Sequence, residues 1–305
     1  MELMIPNCSF HKSSPKYSWI GIFLLCLIFL WSNTSIANDN HNDELGSDSW
    51  PLHQAVKGND RQLMLSLLNK GLDINTQNLW GITPLYTAVF QGHLDLAKIL
   101  ITKGADINLA DNEGLTPLHV AALEDRQELA KLLLHHGADI EQRDKYAYTP
   151  LHLAADQNSA RVAGELIASG ASINTQSEWG NTPLHASVAK GNLTLVKTLL
   201  KKGAQVNTGD RLGRTSLHWV AEKGYLIVAE LLVENGADLN AKDNDGETAL
   251  HEASKYNHQD IVKFLIDKGA DVNAKGSDGR KPIEIAIASG NTEIAELLKS
   301  HGGDW

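Results

Sequence analysis

The 305-residue sequence predicts an all-α solenoid of eight helix-turn-helix repeats with short β-turn hairpins, and three ladders with a period of 33 residues predict it. Pro51, Pro84, Pro117, Pro150, Pro183 and Pro282 occupy the first ladder, with Ser216 and Ala249 on its two other rungs. Gly71, Gly104, Gly137, Gly170, Gly203, Gly236, Gly269 and Gly302 fill every rung of the second, where 25 glycines in 305 residues predict fewer than one by chance. Leu67, Leu100, Leu133, Leu166, Leu199, Leu232, Leu265 and Leu298 fill the third.

Each element of the unit has a physical reason. Thr83, Thr116, Thr149, Thr182, Thr215 and Thr248 stand where a hydroxyl caps a short helix, usually with proline next, where the missing N–H costs nothing. A second helix, such as 94–103 or 127–136, carries apolar residues at i, i+3 and i+4 and stops at a ladder glycine suited to a left-handed cap. The leucine ladder lies on this second helix, and full burial of each leucine is worth roughly 1.5–3 kcal/mol. One helix pair cannot cover its own apolar face, so neighbours stabilise one another and the two ends need polar outer surfaces. Lys57, Asn59, Asp60 and Arg61 supply one such end, and Arg280, Lys281, Glu293, Glu296 and Lys299 the other. The repeats then run 50–81, 82–114, 115–147, 148–180, 181–213, 214–246, 247–279 and 280–305.

The units ITPLYTA at 82, LTPLHVAA at 115, YTPLHLAA at 148, NTPLHASV at 181, RTSLHWVA at 214 and ETALHEAS at 247 resemble the TPLHxAA signature of ankyrin repeats. Tails such as GADIN at 104, GADIE at 137 and GADVN at 269 complete the likeness, which covers about 250 residues. The ends depart from it: WPLHQAVKGN in the first repeat has its glycine one place early, and KPIEIAIASG in the last lacks the histidine. The resemblance implies an ankyrin-repeat solenoid, histidines that hydrogen-bond neighbouring turns, and partner contacts on the turn tips and the exposed side of each first helix.

Ahead of the repeats, Lys12 and Lys16 precede an apolar run from Trp19 to Trp31, and Ser35 and Ala37 follow as small residues before a cleavage point. Residues 1–37 read as a signal peptide, with an uncleaved signal anchor as the alternative. Thirteen residues span only ~20 Å of a ~30 Å hydrocarbon core, which favours cleavage. Lysines before the run and Asp39, Asp43, Glu44 and Asp48 after it send the remainder across the membrane under either reading. Residues 38–49 form an acidic flexible linker. Export, to a periplasmic or secreted location or as an anchored domain outside the cytoplasm, is the expectation.

The formal charge of −10 disfavours nucleic acid, which needs a clustered basic face. Cys8 and Cys26 both lie in the first 37 residues, which excludes disulfides, cysteine-based zinc sites and a cysteine nucleophile from the repeats. Bulky Leu24 and Leu25 before Cys26 argue against a lipoprotein. His53, His119, His152, His185, His218 and His251 recur at one repeat position, but equivalent sites in stacked helices sit ~8–10 Å apart, too far to share a zinc ion. His135, His136 and His258 read as scattered surface residues. His251-Glu252 begins like a zinc-protease motif, yet Lys255 stands where its second histidine would be. No phosphate-binding or nucleophile-elbow motif occurs, and the unbroken ladder leaves no insertion for a catalytic loop. The expectation is a protein without catalytic residues, cofactor or metal. Asn192-Leu193-Thr194 fits a glycosylation acceptor in a eukaryotic source.

Variation is concentrated at the turn tips and first-helix faces. Leu79, Trp80, Ile82, Phe90, Leu115, Leu123, Tyr146, Tyr148 and Trp179 crowd apolar and aromatic side chains there in the N-terminal half. The same positions turn charged further on, reading Arg211, Leu212, Arg214, Glu222 and Lys223, then Asn244, Asp245, Glu247, Lys255 and Tyr256. Those nine apolar residues are the candidate anchors for a partner protein, with Trp80, Tyr146, Tyr148 and Trp179 at the centre. The reading is a monomeric binding scaffold whose partner sits on the concave face and whose only membrane contact runs through residues 17–31 if they are retained. The alternatives are a membrane-tethered factor that assembles or stabilises a partner, and an enzyme or small-molecule binder.

Overall fold

The computed structural model of the protein describes residues 50–304, so the N-terminal segment 1–37 and the linker 38–49 lie outside the described residues. Sixteen α-helices, and no strand, follow one another among the described residues. They alternate between a short leading helix and a nine-residue partner. The pairs are α1 (Pro51–Lys57) with α2 (Arg61–Asn69), α3 (Pro84–Gln91) with α4 (Leu94–Thr102), α5 (Pro117–Leu123) with α6 (Gln127–His135), and α7 (Pro150–Asp156) with α8 (Ala160–Ala168). The remainder are α9 (Pro183–Ala189) with α10 (Leu193–Lys201), α11 (Ser216–Lys223) with α12 (Leu226–Glu234), α13 (Ala249–Lys255) with α14 (Gln259–Asp267), and α15 (Pro282–Ala288) with α16 (Thr292–Ser300). The fold is the ankyrin-type solenoid that the ladders predict. No described helix is long and apolar enough to cross a membrane.

The predicted caps account for where helices begin and end. Thr116, Thr149, Thr182, Thr215 and Thr248 are extended residues whose hydroxyls meet the third helical residue. That residue is the repeating histidine, whose Nδ1 accepts the threonine amide at 3.0–3.2 Å, so two otherwise orphaned donors are satisfied at once. At the other end, Gly104, Gly137, Gly170 and Gly203 take φ of +88° to +94°, which turns the chain so that Ala105, Ala138, Ala171 and Ala204 donate back to Leu100, Leu133, Leu166 and Leu199.

The leucine ladder forms the core, with Leu100, Leu133, Leu166, Leu199, Leu232, Leu265 and Leu298 completely buried. Leu67 departs from the expectation and is half-buried, because no described repeat precedes α2 to cover it; Met64 fills the core there.

Hydrogen bonds of constant sequence separation tie the repeats together. Each histidine Nε2 donates to a carbonyl 29 residues on: His53 to Ile82, His119 to Tyr148, His152 to Asn181, His185 to Arg214, His218 to Glu247 and His251 to Arg280, at 2.8–3.2 Å. On the opposite edge, Oδ1 of Asn75, Asn108, Asn174, Asn207 and Asn240 accepts an amide 31 residues on at 2.8–2.9 Å. The residue that opens a second helix reaches back 36 residues, as Arg126 does to the Phe90 carbonyl, Asn291 to Lys255 and His258 to Glu222. His258 is thus a half-buried clasp between repeats, not the surface residue expected of it, because its ring lies against Gly224, where no side chain competes for the space. First helices pack against their neighbours more extensively than second helices do, which curves the stack with the first-helix layer inside.

Candidate protein-binding face

The hairpins up to 243–247 are each organised by one short polar side chain. Asn78 Oδ1 accepts the amides of Trp80 and Ile82, both at 3.0 Å, and Asp111, Asp144, Asp210 and Asp243 repeat the pattern. The two residues inside that loop have no backbone partner within their own hairpin and stand out as its tip. Neighbouring tips are stitched together, since the Trp80, Glu113, Tyr146 and Trp179 carbonyls accept the amides of Asn112, Lys145, Glu178 and Arg211. The tips therefore form one continuous row. Burial pushes the Asp144 carboxyl up to about 6, against two amide bonds that pull it down.

The turn residue that closes the tip needs a positive φ and close approach. Gly81, Gly114, Gly180, Gly213 and Gly246 supply it at +72° to +84°, and a Cβ on Gly81 would come within 2.7 Å of the Asn112 backbone. The hairpin that closes the third repeat breaks the pattern with Ala147 at φ +60°, between Tyr146 and Tyr148.

The nine predicted anchors divide into three groups. Leu79, Trp80 and Trp179 are exposed, at 62%, 51% and 45% of their surface. Ile82, Phe90, Leu123 and Tyr146 are half-buried along the same side. Leu115 and Tyr148 are only 3% and 8% exposed, so they support the face and do not present themselves on it. Both stand just before the capping threonine, and the carbonyl of Tyr148 receives the histidine bond from the preceding repeat. The Tyr148 ring stands edge-on to His152 at 5.6 Å, its phenol bonds to Ser177 and Asn181 of the next hairpin, and burial pushes that phenol up to about 12. Arg214, in the same register and expected on the charged half of the face, is likewise buried, its carbonyl accepting from His185.

Cations lie over the tip rings: Lys145 Nζ is 5.0 Å from the centre of Tyr146 and pairs with Glu113, and the Arg211 guanidinium is 5.5 Å from Trp179. In the C-terminal half, Leu212 and Tyr256 are exposed as well, the latter beneath Lys255. Arg214 pairs with Glu222 at 2.5 Å, and the buried Trp219 donates its Nε1 to Asp210 at 3.1 Å. Spacing alone does not announce this Asp210–Trp219 bond, because no other repeat has a tryptophan at that position. Tyr86, which stands in for the repeating histidine, bonds to the Asp111 carboxylate instead.

From His119 to His251 the repeating histidines have both nitrogens engaged, on capping threonines and carbonyls of the next repeat, whereas His53 Nδ1 has no threonine to meet and no hydrogen-bond partner. Accepting at Nδ1 and donating at Nε2 assigns them the neutral tautomer, and burial holds His119, His152 and His185 down at about 4. On the outer side, a groove of about 710 Å³ between α4, α6 and α8 is lined by Leu94, Lys98, Leu132, His135 and Ile140; its Lys131 pairs with Glu128 at 3.1 Å. One acidic group, Asp243, Glu247 and Glu252, gathers oxygens close enough together to hold a cation.

Compared with protein-family models, residues 52–144, 151–243 and 240–305 match the one described as ankyrin repeats (3 copies). No curated protein matches the chain.

Proposed function

The chain belongs to the ankyrin repeat family, whose members bind other proteins and typically act as non-catalytic scaffolds, and from that premise we propose that it holds a partner protein on its concave face, outside the cytoplasm. The observation that carries the reading is the exposure of Leu79, Trp80 and Trp179 on tips whose backbones are already bonded to one another. Large apolar side chains on a rigid platform lose little freedom on binding, which is what protein hot spots require. Tyr146 lies in the row between Trp80 and Trp179, and half-buried Ile82, Phe90 and Leu123 extend the apolar side toward the first helices. Recognition is by a pre-formed surface, with no chemical step. Leu115 and Tyr148 act in this reading by holding the tips in place.

Placement outside the cytoplasm rests on the basic, apolar and small-residue order of the first 37 residues. A membrane-tethered form keeps residues 17–31, and N-terminal sequencing of the mature protein separates it from a cleaved one. The binding face is tested by a Trp80→Ala/Trp179→Ala double variant in affinity capture from extracts of the protein's own compartment. The variant is expected to keep the wild-type circular dichroism spectrum and melting point while losing at least 90% of the captured partner. Undiminished capture removes this face as the site.

A further inference from the structure

Repeats 6 and 7 treat one place differently. In repeat 6 the Trp219 indole donates to Oδ2 of Asp210, the aspartate that organises its hairpin. One period on, Asp243 organises the next hairpin in the same way, accepting the amides of Asp245 and Glu247 at 3.0 and 2.8 Å. The residue in the register of Trp219 is now Glu252, so an acceptor stands where a donor stood. Glu252 is only 6% exposed, and its Oε2 is closed off from solvent with no hydrogen-bond partner. Glu247 completes the group: one oxygen each from Asp243, Glu247 and Glu252 lies within 4.8 Å of the others.

Arg214 and Lys255 act through space on Glu252, and Lys255 and Arg280 on Glu247, while Arg214 also pairs with Glu222, Lys255 lies over Tyr256 and Arg280 pairs with Asp278. Glu252 Oε2 is left without a hydrogen-bond partner all the same. Three converging carboxylates, one of them buried with an unmatched oxygen, call for a shared positive partner.

We propose that Asp243, Glu247 and Glu252 form a calcium site. An all-oxygen set suits a hard cation and offers zinc neither nitrogen nor sulfur. Asp243 and Glu247 are only half-buried, which leaves room for the waters that complete calcium's six to eight ligands, whereas magnesium demands a near-ideal octahedron and is usually held by one or two carboxylates. The ion ties the repeat-7 hairpin to α13 and stiffens the C-terminal part of the concave face, whatever partner the protein has. The expectation of no metal weighed the histidines and a protease motif, not these carboxylates.

The test is thermal unfolding and calorimetric titration of the purified protein with CaCl2 up to 10 mM, at pH 7.5 and constant ionic strength, with MgCl2 and NaCl as comparators. The expected result is saturable binding of about one calcium ion and a rise in melting point of about 2–4 °C that magnesium and sodium do not reproduce. Glu252→Gln is expected to remove the rise while folding normally, and Glu247→Gln to weaken it at least tenfold in affinity; Glu128→Gln on the outer side leaves it intact. No calcium response in the wild type, an equal response to magnesium or sodium, or a response unchanged in both Glu252→Gln and Glu247→Gln overturns the proposal.

Discussion

The buried spine of the solenoid and its row of hairpin tips are made by the same 33-residue unit, yet they vary in opposite ways. Along the spine, leucine, threonine, histidine and glycine recur with few exceptions, and their side chains are engaged in packing or in bonds to the next repeat. Along the tips the backbone bonds recur just as strictly, but the side chains run from Leu79-Trp80 through Asn112-Glu113, Lys145-Tyr146 and Glu178-Trp179 to Asn244-Asp245. Stability therefore resides in what repeats and recognition in what does not. The two can be altered separately.

The largest break in that division comes from the spine. Leu166→Ala removes a completely buried side chain and is expected to cost about 2–5 kcal/mol in urea denaturation. A cost near zero would mean that the ladder does not carry the stack.

Acid attacks the same spine through its histidines. All six repeating histidines titrate below their ordinary value, and His119, His152 and His185 lie at about 4. The unfolded chain consequently binds protons first as pH falls below about 6.5, and folding stability is lost between there and about 4. Asp144, raised to about 6, and the half-buried Glu247 and buried Glu252, also raised, work the other way: the folded form keeps their protons longer, so they add stability as pH falls through the same window. The histidines dominate, with a net loss on the order of 3 kcal/mol between pH 7 and pH 5.5. Chemical denaturation at the two pH values measures it, and a protein more stable at pH 5.5 would show that the carboxyls win.

A smaller effect belongs to the tips. Ala147 holds a left-handed φ of +60° in a register where glycine holds a positive φ in six other hairpins, so Ala147→Gly is expected to stabilise the protein by about 0.5–1 kcal/mol. Smallest of all is the effect of losing Trp80 or Trp179 on stability, expected within about 0.5 kcal/mol of wild type even as binding is lost.

The spine was legible in the sequence because each of its parts answers to a local rule. Threonine caps, proline starts and glycine stops need no knowledge of the neighbours, and a period of 33 then dictates what the leucines must face. The tips were legible only in part. Trp80 and Trp179 could be placed outward, but the burial of Leu115 and Tyr148 depends on how neighbouring repeats meet, which no local pattern reveals. The inter-repeat clasps were hidden for another reason: His93, Arg126, His258 and Asn291 do one job with three different kinds of donor, an imidazole, a guanidinium and an amide. The Glu252 group emerges only when repeat 7 is laid over repeat 6.

The constant separations of 29, 31 and 36 residues between bonded partners have a consequence for how such a molecule can change. Excising or duplicating one whole 33-residue module joins like to like, so every severed bond finds an equivalent partner across the new junction. A cut of any other length disconnects all three sets together. The molecule's reach along a partner is thus adjustable in increments of roughly 8–10 Å, the spacing of packed helices, with no new core to invent.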